Sequence, residues 1–344
     1  MKYVATVLIA GLMLVVPPEA ARGQVFDFER NKRAQTAFKF LNGPMNARAA
    51  GLSRAMTARE AGSASLFFNP AGMARQRASF DMALTRTQFI AGIDYNAASS
   101  SVRPFEGRYG VLGITLLSVD YGDLQGTVRA DNEQGFNDTG TFSPSAWSVG
   151  LGYAKALTDR FSIGGHVRYA NLDLDVAPVS ESGSDGYNYT GNAAGTMVYD
   201  FGMFYRTGFR SLTFAARASN FSRDVTFVDE NEELPLSLKM GVSMNVLNLT
   251  RFASSTHAFR LSVDAESPRD FNERIKIGGE YEFLQTIALR GGYSIPSGER
   301  GFSLGAGLHQ DIGGVRFAAD YAYTDFGMLS GANLVHHIGV RLSI

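Results

Sequence analysis

Val315-Arg316-Phe317-Ala318-Ala319-Asp320-Tyr321-Ala322-Tyr323 alternates strictly between two faces. On an extended backbone Val315, Phe317, Ala319, Tyr321 and Tyr323 point one way, and Arg316 and Asp320 the other. Ile275, Ile277, Tyr281 and Phe283 alternate in the same way with Lys276, Glu280 and Glu282, and Phe259, Leu261 and Val263 with Arg260, Ser262 and Asp264. Leu236, Leu238, Met240, Val242, Met244 and Val246 alternate with Ser237, Lys239, Ser243 and Asn245, and the pattern returns over 287–295, 302–308 and 338–344. A soluble sandwich also alternates. Length separates the two, because many of these segments run about 11 to 13 residues, soluble strands about 5 or 6, and tilted membrane strands about 9–11. Tyr153, Tyr169, Tyr205, Tyr281, Phe283, Tyr321 and Tyr323 lie near segment ends, as in the aromatic girdles of membrane barrels. Roughly 14 segments are present, an even number as bacterial barrels require. Residues 79–344 therefore read as an all-β, transmembrane antiparallel β-barrel.

At the other end of the chain, Met1-Lys2 precedes an apolar run from Val4 to Val16, closed by Pro17-Pro18 and followed by Ala21-Arg22-Gly23. This reads as a signal peptide, 1–23, cut before Gln24. The run is too short for a membrane-spanning helix of roughly 20 residues. An exported protein of a Gram-negative-type outer membrane follows, with membrane lipid as its surroundings. Across 344 residues the 32 Lys and Arg nearly balance the 33 Asp and Glu, which excludes a nucleic-acid binder by charge. The absence of cysteine excludes disulfides and zinc-thiolate sites.

Residues 24–78 have another character. Nine basic residues face only Asp27, Glu29 and Glu60, a surplus of six positive charges. Asn46 to Glu60 is rich in helix formers, with Asn46 placed to cap. The stretch then reaches Ser63-Ala64-Ser65-Leu66-Phe67-Phe68-Asn69-Pro70-Ala71-Gly72-Met73-Ala74. Asn69 favours an Asx turn, Pro70 lacks an N–H and Gly72 admits unusual φ, so Asn69-Pro70-Ala71-Gly72 ends any helix here. Such a basic segment can lie on a membrane surface or fill a charged lumen. With a barrel following, the lumen is the expectation: an N-terminal plug whose Arg48, Arg54 and Arg59 rest against inward carboxylates.

Short turns are expected at 104–107, 158–160, 208–210 and 313–314, and longer loops at 122–140, 178–192 and 222–234. The long loops all fall on one side, opposite both chain termini, which in such barrels is the outside. They carry eleven acidic residues against Arg129 and Arg223. Most such runs are solvated faces. The functional reading is a partner-docking or cation-binding surface, with Asp229, Glu230, Glu232 and Glu233 as its candidate docking loop.

No enzyme chemistry stands out. Gly301-Phe302-Ser303-Leu304-Gly305 fits the nucleophile-elbow spacing but lies inside an alternating strand, where the required strained turn is missing. His336 and His337 point to opposite strand faces and cannot share a metal. Inward Asp264, Glu266, Glu280, Glu282 and Asp320 share their face with Arg217, Lys239, Arg260, Lys276, Arg290 and Arg316, a pattern of wall ion pairs. No catalytic, cofactor or metal residue is assigned.

The order of several short blocks carries a resemblance. Phe40-Leu41, Ala47-Arg48-Ala49-Ala50-Gly51-Leu52 and the Asn-Pro-Ala-Gly turn resemble the opening of the PorV/PorQ family, within the FadL-like outer-membrane barrels. Tyr121-Gly122-Asp123-Leu124-Gln125-Gly126, Leu157-Thr158-Asp159-Arg160-Phe161 and Asp200-Phe201-Gly202-Met203-Phe204-Tyr205 are similar to later blocks of that family. Ser53-Arg54-Ala55 departs from the second Gly-Gly-Ala turn the family usually has, and the chain ends on Ile344 rather than Phe. The resemblance implies about 14 strands with an N-terminal plug. It also implies a type IX secretion component that binds or shuttles cargo at the cell surface, with translocon and cargo proteins as partners. The alternative is a FadL-like passive transporter of hydrophobic small molecules. That alternative calls for an apolar pocket between plug and wall and a break in an early strand, for which small Ala97-Ala98-Ser99-Ser100-Ser101 leaves room.

Overall fold

The structure, a computed structural model, describes residues 36–180, 187–227, 230–250, 256–296, 301–325 and 334–344. The expected leader 1–23 and Asp229 lie outside them. Alternating segments become strands because each buries one face against the lumen and turns the other to lipid. The first four wall strands are β1 (Phe80–Gln88), β2 (Asp94–Val102), β3 (Val111–Asp120) and β6 (Ser145–Ala156), with the hairpin β4 (Leu124–Arg129) and β5 (Phe136–Phe142) rising between the last two. Next come β7 (Phe161–Ser180), β8 (Tyr187–Arg206) and β9 (Thr213–Phe221), then the small hairpin β10 (Val225–Phe227) and β11 (Glu230–Glu232). The wall is completed by β12 (Ser237–Asn245), β13 (His257–Pro268), β14 (Arg274–Phe283), β15 (Ile287–Ile295), β16 (Phe302–Ile312), β17 (Val315–Asp325) and β18 (Leu334–Ser343).

Fourteen of these strands form a closed antiparallel barrel. Closure runs through β1 and β18, in register from Asp81↔Ser343 to Gln88↔His336. The outward faces are apolar: Leu84, Ile114, Leu151, Leu238, Leu289, Leu304 and Val340 are all exposed on the belt that faces lipid. No helix among the described residues is long and apolar enough to cross a membrane.

Several expectations need correcting. Strands β7 and β8 are 20 residues each, so most of the expected loop 178–192 is strand. Their pairing passes an irregularity between Asp173 and Val176 and continues to Ser180↔Tyr187. Loops 122–140 and 222–234 also contain hairpins. The long loops lie opposite the start of the wall and opposite Ile344, whose carbonyl accepts from Ser79 N–H. The other end of the N-terminal segment lies on the loop side. There Ala37 N–H donates to Glu233 O (3.0 Å) and the Thr36 hydroxyl to Asp270 Oδ2 (3.0 Å). Residues 36–78 thus descend inside the barrel from the long-loop side to the short-turn side.

Within that segment the expected helix over 46–60 shrinks to the single turn Ala47–Ala50, capped by Asn46, whose side chain accepts from Ala49 N–H (3.1 Å). Ser53 and Arg54 then take positive φ. Contact with the wall overrides propensity: Ser53 N–H donates to Ser303 Oγ (2.9 Å) and Thr57 N–H to Asp264 Oδ2 (2.9 Å). Ser303, inside β16, is fully buried in this contact.

The fold predicts sidedness. A protease site inserted between Asn132 and Gly135, in the β4–β5 turn, should be cut on intact cells. A site in the Thr158–Arg160 turn should resist cleavage until the outer membrane is opened. Equal accessibility at both sites would contradict a spanning barrel.

Candidate functional site

The lumen that the strands enclose divides, among the described residues, into a polar side, an apolar upper part and an open vestibule. On the polar side, Glu280 of β14 points inward with only 2% of its side chain exposed. Arg48 approaches it in a fork, Nε to Oε2 and Nη2 to Oε1, both 2.8 Å. Arg59 also pairs with Oε1, and Arg290 Nε donates to Oε2 (2.7 Å). Arg290 reaches on to Asp320 Oδ1 (2.6 Å). One carboxylate therefore gathers two guanidinium groups of the inner segment and two of the wall, Arg290 closely and Arg260 at 3.9 Å. Arg54 is not among them, contrary to expectation. Its Nη1 donates to the Asn42 carbonyl (2.6 Å), because the turn at Ser53–Arg54 sends it back along its own segment.

A second anchor centres on the Asn-Pro-Ala-Gly turn. Asn69 Oδ1 accepts from Ala71 N–H (3.1 Å), while Nδ2 donates to Thr57 O and to Met203 O of β8, both 3.0 Å. Asn69 thus closes its own Asx turn and ties the segment to the wall. The wall can approach because Gly202 and Gly164 face it. A Cβ on Gly202 would overlap the Asn69 side chain, and one on Gly164 would lie 2.5 Å from Ala71 N. Pro70 opens a 3₁₀ turn, Pro70–Arg75, in which Ala71 and Gly72 are buried. Arg217 of β9 donates to the carbonyls of Phe67 and Phe68, which the short helix Ser65–Phe68 leaves without partners, and also meets Asp200 (3.2 Å). Asp200 further pairs with Arg168 (3.0 Å).

The upper lumen is apolar. Phe38, Phe40, Leu41, Met45, Phe67 and Phe68 of the inner segment pack with Tyr95, Ala97, Leu117, Val119, Ala146 and Val198 of the wall. Val225 and Leu234, from the loop carrying the candidate docking residues, are buried in the same cluster. That loop is therefore tied into the lumen rather than standing free. Within it Glu233 pairs with Arg269 (3.2 Å), Glu232 is half-buried and Glu230 begins strand β11. An inward surface read as mostly charged is thus apolar along the early strands. The clue lay in Val111–Asp120, apolar on both strand faces, which marks a strand covered on both sides. The break in an early strand for which 97–101 left room does not occur. Pairing of β2 with β1 and with β3 runs without a shift along the whole strand.

Below the anchors, on the short-turn side, a vestibule of about 1100 Å³ is lined by the inner segment and the lower wall. Among the described residues, no group of three or more His, Cys, Asp or Glu side chains is placed to hold a metal.

The chain resembles solved barrels in shape. It is similar to the toluene transporter TodX of Pseudomonas putida, with TM-score 0.55 and 14% identity over 86% of this chain and 96% of that one. It is similar to the toluene transporter TbuX of Ralstonia pickettii, with TM-score 0.54 and 15% identity over 85% and 96%. The monoaromatic hydrocarbon channel CymD gives 0.53 and 13% over 87% and 96%. What they share is the fold, a closed antiparallel barrel, here of fourteen strands. No protein-family model matches the chain, and no curated protein matches it.

The Glu280 anchor predicts the effect of its removal. Glu280→Gln leaves three buried guanidinium groups without their shared carboxylate, at a cost of about 3–5 kcal/mol. Resistance to denaturant should fall by that order, and conductance in planar bilayers should rise as the inner segment loosens. Parental stability together with parental conductance would show that the anchor holds nothing in place.

Proposed function

We propose that the protein is a passive outer-membrane conduit for hydrophobic small molecules, with residues 36–78 as the plug that controls it. The observation that carries this reading is the apolar cluster between inner segment and wall, on the side that in such barrels faces outward. A lumen serving ions or sugars would be polar there, whereas this one offers aromatic and aliphatic side chains with convergent polar anchors beneath. Barrels similar to it in shape are toluene transporters and a monoaromatic hydrocarbon channel, which supports the same class of ligand. With β1 to β3 paired without a break, the route follows the lumen. A charge-bearing solute would have to shed water among Phe40, Phe67 and Phe68, at a cost of several kcal/mol.

The type IX reading rests on sequence resemblance to the PorV/PorQ family, and none of the structural neighbours supports it. It places binding in loops 122–140, 178–192 and 222–234, and two apolar residues of the last, Val225 and Leu234, are committed to the lumen.

Uptake decides the matter. Cells lacking their own hydrocarbon-uptake barrels and expressing this protein should accumulate labelled toluene or a labelled long-chain fatty acid faster than cells with an empty vector. Phe40→Asp should reduce that gain about tenfold or more, since a charge in the cluster must be desolvated. Heat-modifiable gel migration would confirm that the variant folds. Uptake no faster than the empty vector for both probes would overturn the proposal.

A further inference from the structure

The short-turn vestibule is unusual in its charge. Among the described residues, ten arginine side chains line it against four carboxylate side chains; of the ten, Arg48 and Arg59 are paired with Glu280 and Arg341 with Asp81, outside the lining. The four lining carboxylates are largely committed to neighbours. Glu60 is held by Arg206 (2.6 Å), Glu282 by Arg260 (2.9 Å) and Asp320 by Arg290 (2.6 Å). On the basic side, Arg77, Arg160 and Arg210 make no ion pair among the described residues. They come from three separate places: the end of the inner segment, the turn after β6 and the turn after β8. Arg75 adds to them. It donates to the carbonyls of Asp159 (2.9 Å) and Thr158 (3.3 Å), and its Nε is buried without an acceptor. Arg160 lies against the β8–β9 turn, where a Cβ on Gly208 would stand 2.7 Å from its guanidinium carbon. Arg160 and Arg210 are therefore crowded on one rim.

Like charges gathered in a concave, partly desolvated space repel unless a counter-charge enters. Arg77, Arg160 and Arg210 belong to three separate segments of the lining rather than to one loop. The cavity, about 1100 Å³, exceeds the usual ~300–1,000 Å³ of small-ligand pockets. An extended chain with several carboxylates would satisfy these charges at several points, and the opposite, acidic side of the barrel would repel it.

We propose that this vestibule is a docking site for an acidic polypeptide segment of a periplasmic partner. The site lies below the apolar cluster and shares only Ala61 and Ala64 with it; Arg77, Arg160 and Arg210 are not among the cluster's residues.

The test uses the full-length protein in nanodiscs and a fluorescein-labelled hexaglutamate peptide, read by fluorescence anisotropy. Saturable binding is expected at low salt, weakening as salt shortens the Debye length, with no binding of hexaglutamine. The triple variant Arg77→Glu, Arg160→Glu, Arg210→Glu should bind about tenfold or more weakly, since each reversal replaces an attraction with a repulsion. Arg223→Glu, on the long-loop side, should bind as the parent does. Toluene uptake by the triple variant should match the parent, which separates this proposal from the uptake reading. Should the triple Glu variant fail to fold, the corresponding triple Gln variant is read in its place. Unchanged binding by a folded triple variant overturns the site. Competition by free glutamate or inorganic phosphate as effective as by the peptide, at equal charge concentration, overturns the polypeptide as ligand and leaves a small-anion site.

Discussion

Everything in this protein depends on the pairing of its first and last wall strands. In lipid no water is available to satisfy backbone N–H and C=O groups, so a sheet crosses a membrane only when it has no edge. Strands β1 and β18 supply the final ladder, and one buried group reinforces it. Asp81 of β1 accepts from Arg341 Nε (2.7 Å) and the Ser343 hydroxyl (2.6 Å) of β18, and from Ser63 N–H (2.7 Å) of the inner segment. A single carboxylate thus ties together the start of the wall, its end and the chain that fills it.

Closure creates an interior that must be filled or hydrated, and the inner segment fills it in two ways. Toward β1–β8 it presents phenylalanines and small residues, and the wall answers with alanines that leave space for them. Toward β12–β17 it presents arginines, and the wall answers with Glu280, while Asp320 holds the wall's own Arg290. The two contacts differ in how they resist change. Apolar packing yields gradually and tolerates substitution of similar volume, whereas the ion cluster is all or nothing, because removing one partner strands buried charge. The apolar part is packed side chain against side chain, and the charged part fixes the depth and register of the segment.

The two ends of the lumen differ in charge. The long-loop side carries most of the acidic residues, and the short-turn side carries the arginines of the vestibule. The inner segment links them, since its first described residues bond to the loop side and its last to the short-turn side. A disturbance at either mouth therefore reaches the same stretch of chain.

The sequence by itself determined the barrel. Period-2 alternation in Val315–Tyr323 and its counterparts, over lengths fit for a bilayer, depends only on strand geometry and on a solvent that differs between the two faces. It also marked Glu280, Asp320 and Arg290 as inward, and Asn69 as a turn former. What it left undecided was which groups meet. Arg48 lies 232 positions from Glu280 in the chain, and Asp81 lies 260 from Arg341, distances over which no local pattern operates. Arg54 stood level with Arg48 and Arg59 in the sequence, and only the positive-φ turn at Ser53 turned it away. The 222–234 loop read as polar and free, yet Val225 and Leu234 are drawn into the core, because a loop beside an apolar lumen buries what it can. Strand periodicity is a property of one segment and its two environments. The assignment of partners is a property of the closed barrel, where register brings distant residues into the same few ångströms of lumen.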